Sequence, residues 1–84
     1  METITDIFVR NINAAFPNRF TIDESSITYH IEHCYSATIT SNVPLYCGTQ
    51  TLSFGSASCE VIGNKIYIQS GVMNDILRLL LLIK

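Results

Sequence analysis

His30, Glu32 and Cys34 stand at alternate positions of one segment, and imidazole, carboxylate and thiolate are side chains that ligate transition metals or relay protons. On an extended chain such positions share a face with Cα atoms about 6.6 Å apart, so neighbouring pairs come within reach of one metal ion or one proton. The set is incomplete as a zinc site. Structural zinc takes four ligands, usually from close pairs such as C-x-x-C, and here a fourth would have to arrive from Cys47 or elsewhere. His30-Ile31-Glu32 also matches the start of the zinc deaminase signature, but no Pro-Cys-x-x-Cys follows. The ordinary reading of the three residues is the solvated face of a half-covered sheet.

Nucleophilic catalysis is no better supported. A reactive cysteine needs a histidine that lowers its thiol pKa, and Cys34 and His33, adjacent on a strand, point to opposite faces. Cys34 with His30 is the one same-face pair, without an oxyanion-hole glycine motif beside it. The glycines, at 48, 55, 63 and 71, contain no G-x-G or G-K pattern that would cradle a phosphate. His33 falls on the apolar parity and reads as a packed histidine bonded to tyrosine or backbone.

The elements that would position these groups follow from periodicity. Ile4, Ile7, Phe8, Ile12, Ala15 and Phe16 recur at three and four, which predicts a helix over about 4–15, capped by Thr3 with Asp6 at its positive end and stopped by Pro17. Arg19–Asp23 reads as a short strand that Asp23-Glu24-Ser25 breaks. From Ile27 to Thr40 apolar residues hold every odd position, except for His33, and mostly polar ones every even position. This predicts one long strand, or two joined by a bulge, with Tyr29 and Tyr35 in the core and Thr28, His30, Glu32, Ser36 and Thr38 on an open polar face. Leu45–Phe54 reads as a returning strand. Gly63-Asn64 suits a two-residue primed turn, and the register it imposes sets Ile62 opposite Lys65, Val61 opposite Ile66, Glu60 opposite Tyr67 and Cys59 opposite Ile68. Val61, Ile66, Cys59 and Ile68 then share a core face, while Glu60, Tyr67, Ile62 and Lys65 face outward. Ser70 can cap a final helix with Val72, Met73, Ile76, Leu77, Leu80 and Ile83 inward. Residues 74, 75, 78, 81, 82 and 84 point outward, although Leu81 and Leu82 are apolar.

Composition narrows the function classes. The chain has 84 residues, 48% of them hydrophobic and 14% charged, which excludes disorder and predicts a single domain over 1–84. Burial at ~25 cal/mol per Å² contributes on the order of 130 kcal/mol against ~126 kcal/mol of ordering cost, so a chain this small gains from further burial against a partner. Five Lys and Arg against seven Asp and Glu, with Arg10, Arg19, Lys65, Arg78 and Lys84 scattered, predict no nucleic-acid binding. No apolar run approaches the ~20 residues of a membrane span, and the acidic start does not look like a secretory leader. Three cysteines, Cys34, Cys47 and Cys59, without C-x-x-C predict a reducing, cytoplasmic setting.

These observations predict an α+β fold: an N-terminal helix, an antiparallel sheet of four to five strands, and a C-terminal helix packed on the same face. No cofactor, no resident metal and no enzymatic activity are expected. The function expected is a non-enzymatic protein-binding module, an inhibitor of the kind viruses and mobile elements encode, acting by steric occlusion. Its contact residues would be Tyr67, Glu60 and Ile62 on the sheet and Arg78, Leu81 and Leu82 on the last helix, with Tyr46 near a loop as a further aromatic candidate. The alternatives are a homodimeric adaptor assembled through the C-terminal helix, and a metal protein or Cys/His enzyme built on His30, Glu32 and Cys34.

Overall fold

The computed structural model describes residues 3–45 and 49–83. Thr3 and Asp6 open the first helix, α1 (Ile4–Ala15), through a reciprocal capping box: the Asp6 amide donates to Thr3 Oγ1 and the Thr3 amide donates to Asp6 Oδ2, each at 3.1 Å. Phe8 and Ile12 of its apolar stripe are fully buried, and Phe16 closes the helix before Pro17. The chain continues as β1 (Phe20–Tyr29), a 3₁₀ turn (Ile31–His33), β2 (Tyr35–Ser41), β3 (Gln50–Phe54), β4 (Ala57–Ile62), β5 (Lys65–Ser70) and α2 (Met73–Leu81).

The five strands form one antiparallel sheet in the order β1-β2-β5-β4-β3. Alternation decides which face each residue takes. Tyr35, Ala37 and Ile39 of β2, Ile66 and Ile68 of β5, and Ala57, Cys59 and Val61 of β4 are buried, in one core with Phe8, Ile12, Ile76, Leu79, Leu80 and Ile83. Both helices therefore cover the same face, α1 over β1 and α2 over β3 and β4, and they touch each other. The fold is α+β, with the opposite sheet face open. No described helix is long and apolar enough to cross a membrane.

The β4/β5 hairpin has the register that its turn dictates, including Glu60↔Tyr67 and Cys59↔Ile68. Gly63 has φ +62° while Asn64 does not enter the positive region, the pattern of a turn with glycine at its first central position. Asn64 also organises the crossing from β2 to β3: its carbonyl accepts the Ser41 amide at 2.8 Å and its Oδ1 accepts the Leu45 amide at 3.3 Å.

Four expectations change. Residues 27–40 are not one strand, bulged or otherwise. The chain reverses between Tyr29 and Tyr35, and β1 and β2 pair back on each other. β1 does not end at Asp23 but passes Asp23-Glu24-Ser25 with a register shift, because a bulge absorbs these residues without ending the ladder. The returning strand is confined to Gln50–Phe54 and pairs with β4, not β2, while residues 46–48 lie outside the described residues. Ser70 does not cap α2. It ends β5, and the N-cap is Val72, whose amide donates at 3.2 Å to Ser56 Oγ from the β3/β4 turn.

Candidate functional site

His30, Glu32 and Cys34 lie in the β1/β2 connection rather than on a strand face. Glu32 and His33 both take left-handed backbone, at φ 64° and 62°, so the parity that aligned the three residues is lost. His30 and Cys34 bond to different groups. His30 Nε2 meets Ser36 Oγ at 3.1 Å, and the Cys34 thiol donates to the Glu32 carbonyl at 3.7 Å. Among the described residues no three His, Cys, Asp or Glu side chains are grouped closely enough to hold a metal ion. The His30/Ser36 contact resembles one link of a nucleophile and base, but it is exposed, and among the described residues no third side chain orients the imidazole.

His33 is bonded to tyrosine as expected, its Nδ1 lying 2.6 Å from the Tyr29 hydroxyl, but both residues are exposed instead of packed. The rings of Tyr29 and Tyr35 meet edge to face at 5.0 Å, and Tyr35 reaches Phe8 at 5.6 Å, so an aromatic ladder braces the connection from the core outward. Burial, then the neighbouring Tyr29, pushes the Tyr35 hydroxyl above its ordinary pKa. Ile31, expected in the core, stands at the tip with 85% of its surface exposed.

The two predicted contact patches fall on opposite layers. Tyr67 lies on β5, the middle strand, in a row that crosses the open face as Asp23, Thr38, Tyr67, Glu60 and Thr51. Ile62, diagonal to Tyr67, pairs with Lys65 and is exposed. This face is polar, and its only large apolar side chains among the residues just named are Tyr67 and Ile62.

Arg78, Leu81 and Leu82 belong to the helical layer. Asn74, Leu77, Arg78 and Leu81, spaced i, i+3, i+4 and i+7, form one face of α2, which together with Ala15 and Phe16 lines an open groove of about 610 Å³ between the helices. Leu81 is 65% and Leu82 48% exposed, as the helical spacing requires. The Arg78 guanidinium lies 6.0 Å from the Phe54 ring centroid, so the apolar surface extends from the groove onto the end of β3. Phe16 is buried in the core, as its place in the apolar stripe predicts, while Ala15 is exposed and Leu77 half-buried instead of fully enclosed. Only the packing of α1 against α2 makes a groove of these three residues. Tyr46 lies outside the described residues.

At the start of α2 the Asp75 carboxylate accepts the Ser56 amide at 3.0 Å and the Ser56 hydroxyl at 2.8 Å. These two bonds, helped by Arg78, hold its pKa below the usual carboxylate range. The same Ser56 hydroxyl takes the Val72 amide, so one turn residue fixes the angle at which α2 leaves the sheet. No known family, curated protein or solved structure matches the chain.

Proposed function

We propose that the protein is a non-enzymatic binding module that covers part of another protein, with the α1/α2 groove as its contact site. Its ligand is an amphipathic helix that carries a carboxylate beside its apolar stripe. The observation behind this reading is Leu81, 65% exposed and aligned with Leu77 in a groove whose one charged lining residue, among the described residues, is Arg78. Burying a leucine contributes about 1.5–3 kcal/mol, and an apolar row between two helices suits a third helix with i, i+3, i+4 and i+7 anchors. Arg78 selects for a carboxylate at the rim, which sets register and orientation.

The mode of action is steric: the module occludes or bridges its partner, as an inhibitor or adaptor does. Dispersed cations support a protein partner over nucleic acid, since Arg19 donates to the Ile83 carbonyl at 3.3 Å and Arg78 lies over Phe54. The free thiols of Cys34 and Cys59 support a reducing, cytoplasmic setting.

Panning a display library of amphipathic helical peptides on the wild-type protein tests the reading. Enriched peptides should show helical apolar spacing with a flanking Asp or Glu. They should lose at least tenfold in affinity against Leu81→Asp, a loss of about 1.4 kcal/mol, and weaken against Arg78→Glu. Enrichment that ignores Leu81→Asp, or that selects alternating, strand-like peptides, would refute the groove as the site.

A further inference from the structure

The two edges of the sheet differ. β1 carries Asp23 and Glu24 and a register shift between Asp23 and Thr28, and charge and bulges are two devices that keep another strand from adding to an edge. β3, Gln50-Thr51-Leu52-Ser53-Phe54, has no charge, no proline and no register shift against β4. Among the described residues nothing pairs with its outer side.

The direction of its free backbone groups follows from the hairpin. The two-residue connection Gly55-Ser56, with Gly55 at φ +57°, closes β3 and β4 at the pair Phe54↔Ala57. In such a hairpin the closing pair exchanges hydrogen bonds, and the antiparallel alternation then turns the amides and carbonyls of Phe54, Leu52 and Gln50 toward β4. Those of Thr51 and Ser53 point outward, without a partner strand. Beneath this edge, on the helical side, Phe54 is exposed under Arg78, so an exposed aromatic side chain flanks the open backbone.

We infer that β3 is a homodimerisation edge, on which a second copy of the chain lays its own β3 antiparallel about a two-fold axis at Leu52. The strand is self-complementary in this register. Thr51 faces Ser53 of the second copy and Ser53 faces its Thr51, and each pair exchanges both of its outward hydrogen bonds. Leu52 meets Leu52 of the second copy as a pair without hydrogen bonds, the closer kind, with both side chains on the face that α2 covers. Phe54 falls opposite Gln50. No charged residue opposes its own copy, whereas β1 pairing with β1 would bring Asp23 and Glu24 together. The two sheets become one continuous sheet, and the unpaired edge disappears. This inference rests on the strand edge and does not depend on the α1/α2 groove.

Light scattering across about 1 µM to about 1 mM protein tests it. The wild type should rise from 9.4 kDa toward twice that mass. Ser53→Pro removes the outward amide and leaves the β4 ladder intact, and Thr51→Lys places an ammonium on the edge. Both should stay at the mass of one chain with an unchanged far-ultraviolet circular dichroism spectrum, while Leu81→Asp should dimerise like the wild type. Should Ser53→Pro fail to fold, Thr51→Lys decides. A wild type that is monomeric throughout overturns the inference, and so does a dimer that survives in the folded edge variants.

Discussion

The Asp75 carboxylate governs a junction, because the two groups of Ser56 that it accepts belong to the residue that also takes the Val72 amide at the start of α2. Its folded-state pKa lies below the unfolded value of about 3.9, so its contribution to stability is complete above that pH and is lost as the pH falls through the folded value. The difference in unfolding midpoint between the wild type and Asp75→Asn should therefore be widest above about pH 5 and shrink steadily as the pH falls below about 4. A constant difference across that range would mean that the negative charge plays no part. Nothing near Asp75 in sequence signals this role, since its partner lies 19 positions away. His30, Glu32 and Cys34 are the converse case. Their spacing in the sequence is regular, but two successive left-handed residues dissolve the shared face that the spacing suggests.

At the scale of elements, local chemistry was legible wherever a turn or cap decided the outcome within a few residues. The Thr3/Asp6 box, the stop at Pro17 and the β4/β5 register all follow from side chains or glycine freedom acting at short range. The β1/β2 reversal was not, because Ile31 and His33 continue the odd positions of the alternation through the turn, and no glycine, proline or asparagine marks it. The passage from β5 to α2 was hidden for a different reason. Gly71 lies so close to β4 that a Cβ there would sit 2.6 Å from the Ala57 Cβ and 2.7 Å from its Cα, and its carbonyl accepts the Tyr35 amide at 2.8 Å. Gly71→Ala should force α2 away from β4 and cost about 1–3 kcal/mol, the range for overpacking a close contact. Urea unfolding within about 0.5 kcal/mol of the wild type would show that the junction relaxes freely.

Across the whole molecule, two helices on one sheet face bury Cys59 completely and leave Cys34 partly open. Burial raises the Cys59 thiol pKa, against a smaller opposing hydrogen bond with the Leu52 backbone. Iodoacetamide at about pH 8 should alkylate Cys34 in the native protein, and Cys59 only through global opening, as peptide mass spectrometry would reveal. Equal rates at the two sites would contradict a closed core. The amino-acid sequence by itself determined the α+β class, the helical faces, the hairpin register and the outward leucines, since periodicity and turn chemistry act over a few residues. Tertiary structure alone decided the strand order, the bond from the Val72 amide to Ser56 at the start of α2, the groove between α1 and α2 and the bare edge of β3. Each of these depends on which distant segments meet, and that is settled by burying all the apolar faces in one core at once.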